Sequence, residues 1–320
     1  MHTSIYKHQN WPAIPYNDWK ETLQTVQLWT QIIGKIRLKK MPWTNHQWHV
    51  TLYVSPVGLT TGSIPYEKGI FQLDLDFQHH RLLVTSSTGG NAQMDLYPRS
   101  VANFYTELFG TLHGMDIPAF IYAVPNEIEP AIPFKEDEIH TSYDKEKVFL
   151  FWQTLVKIYP VFTKFRARFI GKSSPIHLFW GAFDLAVSRY SGREAPKHPG
   201  GAPNIPLRVM QEAYSHEVSS CGFWPGGESY PEPVFYAYIY PTPPSYREQP
   251  VGPEEAFYST ELGEFLLPYD VVRQSGNPEE TLLQFLQSTY EAAAKTARWD
   301  REKLEFDYTE FESMGRGRHL

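Results

Sequence analysis

The period at which apolar residues recur changes along this chain, and that change limits its fold more than any other feature. Across residues 18–39, Trp19, Leu23, Val26, Ile33 and Ile36 fall near helical spacing, with Asn17 or Asp18 as a cap. After Pro42 the period drops to two. Trp48, Val50, Leu52 and Val54 alternate with His49, Thr51 and Tyr53, as on a strand with one apolar face. Phe71, Leu73, Leu75 and Phe77 alternate with polar residues and turn at His79-His80 into residues 81–85, which predicts a hairpin. Helices interspersed with neighbouring strands predict an α+β fold around largely antiparallel sheet.

The pattern continues. Ser100 caps a helix carrying Val101, Phe104, Leu108 and Leu112, and residues 117–124 read as a strand. A second long helix runs on from Asp144 through Trp152, Leu155, Phe162 and Phe165. Pro160 inside it predicts a kink or break, because an interior proline costs about 3 kcal/mol. Residues 176–189 read as a buried strand or bent pair, 191–209 as a Gly- and Pro-rich loop, and 234–240 and 257–268 as strands. Asn277, Pro278 and Glu280 mark the start of the last helix, whose buried stripe holds Leu282, Phe285 and Leu286.

Trp19 opens a helix that ends in basic residues and leads to His49; Trp152 opens another that leads to His177. This parallel predicts two similar helix-plus-antiparallel-sheet halves, residues 1–135 and 136–305, packed into one body about an internal pseudo-two-fold, with a frayed charged tail over residues 306–320. The alternative is a coincidence of spacing without duplication.

With 42% hydrophobic and 20% charged residues in 320, the chain has the composition of a globular protein able to bury a large core. Cys221, the one cysteine, has no intrachain partner, and the N-terminus lacks the basic start and apolar run of a signal peptide; a cytoplasmic location is expected. Apolar runs fall short of the roughly 18–20 residues that span a bilayer. A net charge of −7 opposes nucleic acid and anionic membranes, so neither is an expected partner. Two basic runs, Lys35 to Lys40 and Lys164-Phe-Arg166-Ala-Arg168, stand at helix ends, where cations favour the helix dipole; phosphate recognition is the alternative.

No Rossmann fingerprint, Walker loop, nucleophile elbow or His-Glu-x-x-His helix is present. The candidate chemistry rests on histidines. His49, His177 and His216, together with Asp184 and Glu217, are the candidate catalytic residues, and the three imidazoles are candidate ligands for a divalent metal such as zinc or iron. His46 is three residues from His49 and faces the other way on a regular strand. Trp48, Tyr53, Trp180, Trp224, Arg166 and Arg168 are candidate ligand-binding residues. His216 and Trp224 belong to a Gly- and Pro-flanked loop expected to reach inward. Against this stands the ordinary role of a strand histidine beside aromatics, a core residue satisfied by backbone and hydroxyl partners. Glu261 and Glu264 could pair, but on a strand they face opposite ways and suit a solvated edge.

The strings Trp11-Pro-Ala-Ile-Pro-Tyr16, Trp29-Thr-Gln-Ile-Ile-Gly-Lys35, Phe165-Arg-Ala-Arg-Phe-Ile-Gly-Lys172, Ser215-His-Glu-Val-Ser-Ser220 and Phe257-Tyr-Ser-Thr-Glu-Leu-Gly-Glu-Phe-Leu-Leu-Pro-Tyr269 resemble an uncharacterised, mostly bacterial family, domain of unknown function 5996. The resemblance runs from about Trp11 to Trp299 and implies no reaction, cofactor or catalytic residue. The sequence thus leads to a cytosolic enzyme or binding protein for a small polar molecule, with a Trp-, Tyr- and His-lined pocket. The alternative is a non-catalytic protein-interaction module presenting an aromatic surface.

Overall fold

The computed structural model describes residues 11–306, so the tail expected at residues 306–320 lies outside the described residues from 307 onward. The fold is α+β, with two antiparallel sheets. Helix α1 (Lys20–Lys40) leads to a sheet built from β1 (Tyr53–Val54), β2 (Gly58–Thr60), β3 (Ile64–Tyr66), β4 (Gly69–Asp76), β5 (Arg81–Ser86) and β6 (Asn91–Asp95). Its order is β1-β2-β4-β5-β6, with β3 also pairing β4. Helices α2 (Val101–Gly114) and α3 (Lys145–Ala167) follow.

The second sheet contains β7 (His177–Phe179), β8 (Asp184–Glu194), β9 (His216–Trp224), β10 (Val234–Tyr240), β11 (Phe257–Ser259) and β12 (Glu264–Pro268), in the order β11-β12-β10-β9-β8-β7. Helix α4 (Leu207–Ala213) sits between β8 and β9. Helices α5 (Tyr269–Gln274), α6 (Pro278–Thr296) and α7 (Arg301–Leu304) close the described chain. The two sheets meet edge to edge: Leu52, just before β1, and Leu178 in β7 exchange backbone hydrogen bonds of 3.0 and 2.8 Å.

Helix α1 is buried on nearly all sides, and its length explains how. Leu23, Val26, Trp29, Ile33 and Ile36 enter a single apolar cluster that runs from Trp11 to Trp299, while Thr22, Thr25, Thr30 and Gln31 are equally buried. Two of the buried threonines return hydrogen bonds to their own helix, Thr25 to the Glu21 carbonyl and Thr30 to that of Gln27, while Thr22 accepts from the Asp144 N–H. Trp29 is stacked between Phe104 of α2 and Tyr143, with ring centroids 4.6 and 5.3 Å away.

Several sequence expectations are corrected. Residues 48–51 are turn rather than strand, because His46 and Gln47 take positive φ and reverse the chain; only Tyr53–Val54 pair as β1. His49 therefore stands in a turn while His177 opens a strand, and the matching positions on which the pseudo-two-fold rested are not observed. Residues 117–124 are irregular. They hold on through contacts such as the Phe134 N–H to the Ala123 carbonyl at 2.9 Å. Helix α3 passes through Pro160 unbroken; the ring faces solvent and the helix is secured by apolar contacts on either side of it. The segment around His216, expected as a loop, is the central strand β9, paired along both edges.

On the far face of the second sheet, Phe223, Phe235, Phe265 and Leu267 pack toward the helices, so this face is apolar. Helix α6 crosses it and is fixed at its start by Asn277, whose side chain accepts from the Glu280 N–H while its amide donates to the Glu280 carboxylate. Asn277→Ala is expected to lower stability by about 1 kcal/mol in urea unfolding. An unchanged midpoint would show that the cap contributes nothing.

Candidate functional site

The near face of the second sheet is of another kind. Period-two alternation points Asp184, Ala186, Ser188 and Tyr190 of β8, Val218, Ser220 and Trp224 of β9, Tyr236 and Tyr238 of β10 and Glu264 of β12 to the same side, and all of them line one cavity of about 820 Å³. The roof comes from three places. One is the turn with His46, Gln47 and Trp48; another is the segment with Asn126 and Glu127; the third is α4 and its approach, with Ile205, Val209 and Met210. Lys35 and Leu38 enter from the end of α1.

Three glycines make room for side chains at this site. A Cβ on Gly222 would run into the Tyr236 phenol and the Leu185 carbonyl; one on Gly181 would strike the Glu127 carboxylate; one on Gly34 would lie inside the Trp180 indole. The Tyr236 ring can therefore cross Gly222 and donate its hydroxyl proton to Asp184 Oδ2. Trp180, flat against Gly34, donates from Nε1 to the Val50 carbonyl at 2.7 Å. Trp224 Nε1 donates to the Ala182 carbonyl at 3.1 Å.

Polar side chains of α1 hold the loops in place. Gln31 forms a two-way amide pair with Asn126, donating to its carbonyl and accepting from its N–H, both at 2.8 Å. Gln27 donates to the Gly181 carbonyl at 2.6 Å, and Lys35 donates to Asn126 Oδ1. Burial lowers the Lys35 ammonium pKa from 10.5 to about 8.

Electrostatically, the cavity is dominated by three carboxyls. Burial raises Glu127 from 4.5 to about 7, with the charge of Asp184 adding to the effect; Glu264 rises to about 7 for the same two reasons. Asp184 rises from 3.8 to about 6 through burial, partly offset by the hydrogen bond from Tyr236. No hydrogen bond reaches the carboxylate of Glu127 or Glu264 among the described residues, and no lysine or arginine pairs with any of the three. The Tyr214 and Tyr238 hydroxyls are linked at 2.9 Å, and burial pushes both phenols up. Acids that change charge near neutral pH can hold or release a proton there, and they can attract a cation.

On the other side, His46 stacks on Tyr190 at 4.3 Å. Its Nδ1 donates to the Ala213 carbonyl at 2.9 Å, and Nε2 accepts from Lys172 at 2.6 Å, which fixes a neutral tautomer; burial lowers its pKa further. The Glu212 carboxylate ties this turn to α4, accepting from the His46 N–H and the Gln47 amide, both at 2.7 Å.

The structure distributes the sequence candidates as follows. Asp184, Trp48, Trp180 and Trp224 line the cavity. His216 lies on β9 with its ring edge-on to His46, centroids 5.7 Å apart. His49 is buried behind the turn, its ring nitrogen 3.3 Å from the backbone of Thr44. His177 is wholly buried against Phe179, neither ring nitrogen has a hydrogen-bond partner among the described residues, and burial pushes its pKa down to about 3. Glu217 points to the opposite face of β9, where it accepts from Arg193 at 2.6 Å. Tyr53 lies under the Arg37 guanidinium, Arg166 is exposed and donates to the Ser174 carbonyl at 2.6 Å, and Arg168 ends α3; none of these three lines the cavity. Among the described residues no three His, Cys, Asp or Glu side chains form a group that could hold a metal ion.

Glu127, Tyr214, Tyr236 and Tyr238 did not stand out in the sequence, and His46 and Glu264 were weighed there and set aside. The tyrosines carried a legible signal, since Val-Phe-Tyr-Ala-Tyr-Ile-Tyr places every Tyr on one face, with Val234, and Phe235, Ala237 and Ile239 on the other. Glu127 carried none, because its loop has no period. Glu264 was misread as an edge residue; β11 covers that edge and the cavity takes its side chain.

A carboxyl whose pKa is higher folded than unfolded binds its proton more tightly in the native state. Its contribution is therefore complete below the unfolded value of 4.5 and is lost as pH rises through about 7. The Glu127→Gln/Glu264→Gln double variant is expected to gain roughly 1–3 kcal/mol on the wild type between about pH 5 and about pH 8. Urea unfolding at both pH values measures it, and parallel pH profiles for the two proteins would remove these groups as the cause.

Comparison with known proteins gives a family and no activity. No helix among the described residues is long and apolar enough to cross a membrane. No curated protein and no solved structure matches the chain. Residues 11–306, nearly the whole chain and all of the elements that build the cavity, match one family model, and the protein belongs to that family: the family of unknown function DUF5996.

Proposed function

We propose that this protein is an enzyme or binding protein for a small polar molecule, held in the cavity on the near face of the second sheet. One observation carries the reading. Within a sheet whose other face packs into the core, this face and the segments over it gather tyrosines, tryptophans and three carboxyls around about 820 Å³ of space, inside the range of small-molecule sites. A face destined only for packing would be filled with aliphatic side chains rather than phenols and acids, since burying unpaired polar groups costs stability. Carboxyls that titrate near neutrality supply acid–base chemistry if the bound molecule reacts.

A protein-docking role is favoured by a separate observation, the exposure of Trp43, Phe120 and Tyr122, which are 64, 67 and 79% accessible. Of these three, Tyr122 also lines the cavity.

Val209→Trp would place an indole in the cavity from α4, a half-exposed helix able to adjust. In a thermal-shift screen of small polar metabolites, compounds that stabilise the wild type should lose at least about tenfold in affinity for the variant. They should also change the fluorescence of the lining tryptophans. Compounds that stabilise both proteins equally would place binding elsewhere and defeat the proposal.

A further inference from the structure

Three carboxyls face one cavity without a cation of the protein to balance them. Asp184 has the Tyr236 hydroxyl; Glu127 and Glu264 have no hydrogen-bond donor at all among the described residues. The basic groups that line the space are directed elsewhere or stand apart. Lys35 donates to Asn126 and lies over the Trp180 ring, His46 is neutral and bonded at both nitrogens, and Arg208 sits on the exposed side of α4 and pairs with none of the three. Half-buried carboxylates that no donor of the protein reaches are unfavourable unless they are protonated, hydrated or met by a positive charge.

The walls beside these acids are aromatic. Tyr236 and Tyr238 stand on β10, Tyr214 bonds to Tyr238, and Trp224 faces them from β9. Electron-rich ring faces attract cations, most strongly when both partners are shielded from water. The molecule already uses this pairing in its interior, where the Arg189 guanidinium lies 3.5 Å from the centre of Phe165 and 4.2 Å from that of Tyr290. The acids are not grouped so as to hold a metal ion. Their spread along β8, β12 and the 126–127 segment suits a larger and softer charge.

We propose that the ligand of this cavity is an organic cation, a protonated amine or related group, whose charge rests among Glu127, Asp184 and Glu264 while its apolar part lies against Trp224 and the tyrosines. The proposal rests on the cavity being a small-molecule site and specifies what it selects. Charge balance makes the selection: a neutral ligand leaves the acids unbalanced, and an anion adds to their repulsion.

Three probes of one shape test it: 2-phenylethylamine, 2-phenylethanol and phenylacetate, titrated calorimetrically into the full chain at about pH 8, where the first is a cation, the second neutral and the third an anion. The amine should bind about tenfold more tightly than the alcohol, with phenylacetate weakest. In Glu127→Gln/Glu264→Gln the preference for the amine should shrink to about twofold while the alcohol keeps its affinity. Glu264→Gln alone, a near-isosteric change, gives the same readout in part if the double variant does not fold. Val209→Trp should weaken all the probes. If the alcohol or the acid binds wild type as well as the amine does, the cation assignment falls and the cavity reading stands. If no probe binds, or if Val209→Trp leaves binding untouched, both fall.

Discussion

Everything at the site depends on a helix that is buried along most of its length. Helix α1 is enclosed by α2, α3 and the strands around it, and its polar side chains have been turned to use. A buried glutamine must find partners for its amide. Gln31 finds them in the backbone of Asn126, Gln27 in the carbonyl of Gly181, and the loops that carry Glu127 and Trp180 are thereby fixed relative to the core. The polar satisfaction of one helix and the geometry of the cavity are the same set of hydrogen bonds.

The second sheet shows how one structure can be both core and site. Leu185, Val187 and Arg189 of β8, Cys221 and Phe223 of β9, and Phe235, Ala237 and Ile239 of β10 are buried on the side of α3 and α6, and the residues that alternate with them build the cavity. The two roles are separable because side chains alternate across a strand. Arg189 marks the helical face, buried among Phe165, Phe169 and Tyr290, and Asp184 marks the other. Neither charge neutralises the other, as the sheet lies between them.

Close approach at glycine gives the cavity its shape. Tyr236 reaches Asp184 only because Gly222 has no Cβ, and the Glu127 carboxyl can rest on the chain only at Gly181. The result is a group of one buried and two half-buried acids whose proton affinity is raised, a state that stability alone would not favour and that is common where a protein binds or reacts.

The sequence by itself determined the α+β class, the long helices and the caps at Ser100 and Asn277, the alternation of β4 and β10, and the family, because these depend on period and on local chemistry within a few residues; it missed the start of α1, where Trp19 rather than Asn17 or Asp18 stands at the cap, with no side-chain bond. It also pointed to Trp48, Trp180, Trp224 and Asp184, residues that the cavity does contain. What it did not contain was the convergence. Whether Leu52 would meet Leu178, whether Glu127 would rest on Gly181, and whether His46 rather than His49 would face inward depend on contacts between segments from 54 to 167 residues apart, and on a backbone reversal at His46 that no period announces. Only the tertiary structure could decide these, because burial and neighbouring charge are properties of where the chain returns to itself and not of the residues it passes through.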